Sequence, residues 1–360
     1  MHSMVTEEEG ESLRAWSGDT PSTLICHAIR DDTHDVRSFF FRDAGGRLFR
    51  HLPGQFLTFA FDIDGRTVHR CYTISSPPTR PDMLSITVKR KPDGVVSPWL
   101  HANLHAGDTV QASGPSGDFS CSLHVAPKYL FVSGGSGITP VMSMARYLDD
   151  MHVDADIVFV HAARTPRDII FREELGEIAR RRPRLHNIFV CEDAPGVLVG
   201  DCYAGRLTSD LLQTVADLSE REVFCCGPAP FMSSVRDILA RAGHDPSRYH
   251  SESFSVEAVA QATVARNTPV ADAGTYSIRF SVSGKTVVCG PDQTVLSAAQ
   301  AAGIRIPTAC TMGLCGTCKS RLLEGSVDMR HQGGIHQREI DQGKILACCS
   351  FPQSDLVIER

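Results

Sequence analysis

The sequence predicts a multidomain chain with three folded regions: an antiparallel β-barrel, a doubly wound α/β domain and a small α+β domain. Three observations carry that prediction. Short β-rich runs cut by Gly, Pro and Asp fill the first part, and buried strands alternate with helical stretches in the middle. The end holds a hairpin pattern, a short helix and a group of cysteines. A length of 360 residues suits two or three domains.

Residues 1–19 are acidic, contain MHSMVTEEEGE and lack an apolar signal core, so they read as a disordered lead-in. Over 20–125 the runs LTFAFDI, SITVKR and DTVQASG have the spacing of a small antiparallel barrel. Over 126–254 the runs YLFVSG, DIVFVHA, HNIFVCE and EVFCCG read as buried parallel strands. Helical stretches separate them. In the last of these, Val235, Ile238 and Leu239 recur at helical spacing and Gly243 ends the helix. Residues 255–274, rich in Ala, Val and Thr, read as a linker. Over 275–360, alternating Ile278, Phe280 and Val282 predict a strand, Ser283-Gly284-Lys285 a turn and TVVCG a second strand. Thr294 is placed to cap a helix that Gly303 closes.

Bulk properties narrow the function. A net charge of −6 argues against a general nucleic-acid binder. No apolar run approaches the roughly 18 residues that a membrane helix needs. Thirteen cysteines are too sparse for a disulfide framework, so most are expected as reduced thiols in a cytoplasmic protein. The oligomeric state is open, with a monomer plausible.

Cys310, Cys315 and Cys318 form a C-x4-C-x2-C run, and Cys348 follows at a distance. That is the plant-type spacing for a [2Fe–2S] cluster. A zinc site would show two paired C-x2-C knuckles, and these four cysteines contain one. Of the adjacent Cys348 and Cys349, the LACCS context favours Cys348 as the ligand.

In the first domain, His69-Arg70-Cys71-Tyr72-Thr73-Ile74-Ser75-Ser76 reads as a strand. Side chains alternate, so Arg70 and Tyr72 share a face and Thr73 takes the other. Such a face offers a cation to a pyrophosphate and an aromatic hydroxyl to a flavin's ribityl side. R-x-Y-T alone is short, and an ordinary strand with a surface Arg is the alternative. Downstream, Gly94-Val95-Val96-Ser97 leads into a helix whose free N–H groups can receive phosphate.

In the second domain, strand YLFVS runs into Gly134-Gly135-Ser136-Gly137-Ile138-Thr139-Pro140 and then a helix. Glycines let backbone approach a pyrophosphate, although a strand–helix turn can need them for geometry alone. Cys225-Cys226-Gly227-Pro228 ends another buried strand, where core packing is the alternative reading of both thiols.

These segments, with Pro53-Gly54-Gln55-Phe56 upstream, resemble ferredoxin-NADP reductase-like proteins over Ser22 to Phe254. The C-terminal region resembles the ferredoxin β-grasp fold. The resemblance implies an FAD-binding barrel, an NAD(P)H-binding domain and a [2Fe–2S] ferredoxin domain. It implies Arg70, Tyr72, Thr73 and Ile74 as flavin residues, with Val88, Lys89, Arg90, Gly94, Val95, Val96 and Ser97 as the second flavin segment. Two phosphate-binding segments favour FAD over FMN. Gly134, Gly135, Ser136, Gly137 and Thr139 are then the nucleotide loop, followed by Cys226, Gly227 and Pro228. Thr73, Cys226 and Glu252 are the implied catalytic group, and Phe254 is expected to shield the flavin.

NADH is favoured because ARTPRDIIF resembles the NADH-using branch, although Arg164 and Arg167 leave NADPH possible. The run YHSESF (249–254) resembles hybrid-cluster-protein reductases and the reductase subunits of glycine betaine, carnitine and stachydrine demethylating monooxygenases. A terminal strand covering the nucleotide domain is the alternative there. The expected function is an NADH-dependent reductase passing electrons through FAD and the cluster to a Rieske-type oxygenase or another one-electron acceptor protein. Service to hybrid cluster protein, or to an aromatic or acyl-CoA oxygenase, is the alternative. An iron–sulfur redox sensor without turnover is the alternative from another class.

Overall fold

The computed structural model describes residues 21–194, 202–252, 275–308, 313, 316–331, 334–335 and 337–360. The expected lead-in, the linker, Phe254, Cys310 and Cys315 lie outside the described residues. The chain divides into two compact units, Met1–Phe254 and Ser255–Arg360.

The first unit opens with strands β1 (Ser22–Thr33), β2 (Val36–Asp43), β3 (Phe56–Ile63), β4 (Arg66–Thr73), β5 (Leu84–Lys89) and β6 (Thr109–Ser116). Helix α1 (Val96–Asn103) lies between β5 and β6. The strands pair antiparallel in the order β4-β3-β6-β1-β2-β5. An antiparallel bridge from Ile74 to Ile86 joins the two edges, and Ser75 N–H donates to Ser85 O at 2.8 Å beside it. Closure removes the open edges and makes the expected barrel. Leu57, Phe59, Phe61 and Ile63 alternate along β3 into its core with Phe39, Phe41, Leu84 and Ile86.

A second sheet follows in the same unit, built from β7 (Lys128–Gly134), β8 (Asp156–Ala163), β9 (Leu185–Cys191), β10 (Cys202–Ala204), β11 (Glu222–Cys226) and β12 (Tyr249–Glu252). Every pair is parallel, in the order β10-β9-β8-β7-β11-β12. Helices α2 (Ile138–Asp150) and α3 (Arg172–Arg181) contribute Ile138, Val141, Leu175 and Ile178 to the core on one face. Helix α5 (Ala229–Arg241) and the short α4 (Ser209–Gln213) contribute Leu212, Val235, Ile238 and Leu239 on the other. Strand order reverses between β7 and β11, and ligands of such sheets bind beyond the carboxyl ends at that switch.

The second unit is a mixed sheet of β13 (Tyr276–Phe280), β14 (Thr286–Cys289), β15 (Lys319–Glu324), β17 (Lys344–Leu346) and β19 (Leu356–Glu359), in the order β14-β13-β19-β15-β17, with a two-stranded ladder of β16 (Val327–Met329) and β18 (Ser350–Pro352). Helix α6 (Val295–Ala301) packs Val295, Leu296, Ala298 and Ala299 into its core. Thr294 caps α6 through its hydroxyl, and Gly303 takes φ +69° just beyond it. One expectation needs correction. β13 stops at Phe280, and Val282 lies beyond it, 76 % exposed. The Gly284 N–H donates to Phe280 O and Gly284 takes φ +68°, so the turn begins earlier than the alternation suggested.

Candidate functional site

The flavin strand is β4. Leu57 lies opposite Tyr72 and Phe59 opposite Arg70, whereas Phe56 lies opposite Thr73. Arg70 and Tyr72 therefore share one face and Thr73 takes the other, as alternation requires. Tyr72 stands edge-on to Phe59 and Phe61, and burial pushes its phenol well above the ordinary value. The Arg70 guanidinium donates to the His69 carbonyl at 2.7 Å. Thr73 is buried, and its hydroxyl has no hydrogen-bond partner among the described residues. Such an orphan costs about 1–3 kcal/mol unless something polar arrives. The backbone beyond it is committed, since Ile74 N–H donates to Gln55 O at 2.9 Å.

The second flavin segment is more divided. Val88 points into the barrel core and its carbonyl accepts from His101 Nε2 at 2.9 Å. Lys89 pairs with Asp35 at 3.1 Å, and Arg90 N–H donates to Asp35 O at 2.7 Å. Ser97 Oγ accepts the Lys91 N–H at 3.0 Å, closing the turn that holds Gly94. Val95 precedes α1 and supplies no side-chain cap, so the first N–H groups of α1 lack one.

At the switch point, Gly134 ends β7 and a tight turn, Gly135–Gly137, leads into α2. Gly135 takes φ +53° with open space where a Cβ would stand. A Cβ on Gly137 would stand 2.3 Å from the Cys226 carbonyl, so only glycine lets the loop reach β11. No side chain caps α2 and no acid lies in its first turn, as suits an anion. The Thr139 hydroxyl donates to Ser136 O at 3.1 Å and braces the loop. Pro228 stands at the start of α5, and Phe231 lies against Gly134 and Gly227.

Cys226 is fully buried on the barrel-facing side of the sheet, whereas Cys225 packs into the opposite core. Cys226 lies opposite Glu252 on one neighbour strand and Ser133 on the other. Burial, and then the Glu252 carboxylate, push the Cys226 thiol well above its ordinary value. Glu252 Oε1 also lies 3.7 Å from where a Cβ of Gly117 would stand. Gly117 packs on the Phe56 ring, and Phe56 pairs with Thr73. Cys226, Glu252 and Thr73 are thus joined by one chain of contacts across barrel and sheet.

The same row continues to His161, whose Nδ1 lies 2.9 Å from Ser133 Oγ. Nothing in the sequence marked His161, which reads as one scattered histidine among others. It is fully buried, and burial pulls its pKa down to about 3, so the ring stays neutral. Sequence reasoning also missed Ser143 and Arg146 on α2, which bond to the Ser76 and Ser75 carbonyls. Arg164 and Arg167 are both exposed beyond β8.

In the second unit Cys318 and Cys348 are buried, and the Gly313 N–H points at Cys348 Sγ at 3.3 Å. Gly316 takes φ +74°, and a Cβ there would meet Gly334 O at 2.6 Å. Cys349 Sγ instead lies 3.7 Å from the Leu346 carbonyl. Buried thiols with a backbone N–H aimed at sulfur fit an iron–sulfur cluster. The orphaned Thr73 hydroxyl fits a bound flavin, and the open Gly135 turn fits a dinucleotide.

Comparison with known proteins agrees. An oxidoreductase FAD-binding domain matches residues 27–121, an oxidoreductase NAD-binding domain residues 131–237, and a 2Fe-2S iron-sulfur cluster binding domain residues 279–353. The chain is 44% identical over 345 residues to the glycine betaine monooxygenase reductase subunit of Pseudomonas aeruginosa, covering 93% of this chain and 94% of that protein. It is 42% identical over 350 residues to the stachydrine N-demethylase reductase subunit of Rhizobium meliloti, covering 97% and 99%. Among solved structures, phthalate dioxygenase reductase superposes with a TM-score of 0.57 at 25% identity, covering 95% of this chain and 98% of that one.

Proposed function

The chain belongs to the family of reductases that join FAD-binding, NAD-binding and 2Fe–2S domains, and we propose that it feeds electrons from NADH to a Rieske-type oxygenase that demethylates a quaternary ammonium compound. One observation carries the choice of partner. The resemblance to reductase subunits of glycine betaine and stachydrine systems runs through all three domains and nearly the full length of each relative.

Bound FAD supplies the step from paired to single electrons, and the cluster accepts them one at a time. The protein's own part is positioning. The glycine turn and uncapped start of α2 would hold the dinucleotide phosphates, and Cys226 with Glu252 would border the nicotinamide. Arg70, Tyr72, Thr73 and Ile74 would hold the flavin, supported by the second segment from Val88 to Ser97 and by Phe254. Cys310, Cys315, Cys318 and Cys348 would ligate the cluster.

Among the described residues no helix is long and apolar enough to cross a membrane. Cys191 and Cys202 stay thiols with their sulfurs 3.6 Å apart, and a reducing cytoplasm suits them.

The test pairs purified protein with candidate Rieske oxygenases and follows NADH-dependent formaldehyde release from glycine betaine, carnitine and stachydrine. Release with one of them is expected, with NADH preferred over NADPH. NADH oxidation supported only by hybrid cluster protein or an aromatic oxygenase would overturn the choice of partner. Failure to reduce cytochrome c with NADH would favour a sensor.

A further inference from the structure

Helix α2 starts at the nucleotide loop, and one face of it grips the exit of the flavin strand. Positions 143, 146 and 150 recur at helical spacing and share that face. The Ser143 hydroxyl donates to Ser76 O at 2.8 Å. Arg146 Nη1 donates to Ser75 O at 2.6 Å. Asp150 accepts from Arg80 at 2.7 and 3.0 Å and from the Thr79 hydroxyl. The segment from Ser75 to Arg80 is therefore tied at three points to the helix that carries Thr139 and follows directly on Gly137.

Arg146 is the centre of this grip. It is 6% exposed, and the remaining edge of its guanidinium forks onto Glu174 at 2.7 and 2.6 Å. Its plane lies over the Phe171 ring, 4.5 Å from the centroid. Phe171 takes φ +58°, a costly conformation for a bulky side chain, and so is over-determined by its packing. On the strand side, the Ser75 N–H is already given to Ser85 O in the barrel. The two peptide planes that meet at Ser75, two residues beyond Thr73, are thus held one by the barrel and the other by α2.

We infer that Arg146 is a positioning residue for hydride transfer, clamping the Ser75 carbonyl so that the flavin strand and the nucleotide loop hold a fixed separation. In that transfer the C4–H bond of NADH breaks, its electron pair passes with the hydrogen to the flavin, and NAD+ leaves. A misplacement of about 1 Å far from the chemistry can cost on the order of a hundredfold. Only the guanidinium fork meets Glu174 through two donors and Ser75 through a third; an ammonium is a point charge.

The inference rests on the NADH-to-FAD half of the function proposed above, and its test keeps the two apart. Arg146→Lys, Ser143→Ala and Glu174→Gln are compared with wild type as holoproteins by stopped-flow reduction with NADH. Amide exchange over residues 74–80 and the circular dichroism of bound flavin are followed in parallel. Arg146→Lys is expected to lower the limiting rate of flavin reduction tenfold or more, with NADH affinity changed less than threefold. Exchange over 74–80 should rise and the flavin signal should change. Ser143→Ala should show a smaller loss of the same kind. Arg181→Ala, which breaks an ion pair from α3 to Asp149 on α2, should match wild type. A limiting rate unchanged in Arg146→Lys overturns the inference. If that variant does not hold FAD, unchanged rates and exchange in both Ser143→Ala and Glu174→Gln overturn it. Wild-type flavin that NADH cannot reduce would instead overturn the functional reading.

Discussion

Cys226 and Glu252 face each other on neighbouring parallel strands, with the thiol fully buried and the carboxylate raising its pKa beyond what burial alone does. Cys226 is therefore a neutral thiol across the physiological range, suited to lying against a nicotinamide ring rather than to nucleophilic attack. Cys226→Ala is expected to slow flavin reduction by about a hundredfold through lost positioning. Iron and flavin contents should stay at wild-type levels. Iodoacetamide should label this site slowly at neutral pH in the wild type. Glu252→Gln removes the neighbouring charge and should lower the pH at which Cys226 begins to react.

Thr73 yields a prediction with opposite signs in two states. Its buried hydroxyl has no partner among the described residues, so Thr73→Val removes an unsatisfied group of nearly the same shape. Flavin-free protein should gain about 1 kcal/mol of stability, read from urea unfolding. The loaded protein should lose at least tenfold in its rate of reduction by NADH. A loss of stability in the flavin-free variant would show that the hydroxyl is satisfied within the protein.

Local chemistry made much of this legible. Gly134–Gly137 is read in the chain because a backbone approach to a pyrophosphate calls for glycine, and Cys226-Gly227-Pro228 because it resembles the reductase family's pattern. At Gly137 the demand comes from the fold itself, since a Cβ there would strike the Cys226 carbonyl. Thr294 and Gly303 bound α6 for equally local reasons. What lies between distant segments was not legible. Arg146 meets Ser75 across 71 positions, and a helical arginine reads as solvent-facing until tertiary packing surrounds it. His161 lay in an apolar strand with no motif, and only the register of β7 against β8 puts it beside Ser133. Val282 was misread because a period of two cannot tell a strand's last residue from the first of its turn.

The paired cysteines 348 and 349 separate by variant. Cys348 accepts the Gly313 N–H, whereas Cys349 faces the Leu346 carbonyl. Cys348→Ser should abolish acid-labile sulfide or shift the electron paramagnetic resonance of the reduced protein. NADH-driven ferricyanide reduction should survive, because it needs the flavin alone, and cytochrome c reduction should fall at least tenfold. Cys349→Ser should retain cluster and both activities. The reverse pattern would reassign the fourth ligand.

His161 gives the pH dependence of stability a definite sign. Burial lowers its pKa to about 3, against an ordinary value of 6.5. The unfolded chain therefore takes up a proton that the folded protein refuses, and stability falls as pH drops from 6.5 toward about 3. At roughly 1.4 kcal/mol per unit, that is several kcal/mol across the window. His51, lowered to about 4 by burial, acts in the same direction. Glu174 adds to it: burial raises its pKa, the Arg146 pair overrides this, and its stabilisation is lost as acid protonates it. The single-residue part is isolated by His161→Asn, which can still bond to Ser133 but does not titrate. Urea unfolding at several pH values should show a shallower loss in the variant between pH 6.5 and 4. Parallel curves would mean that His161 carries its proton in the folded state, and the neutral ring beside Ser133 would have to be given up.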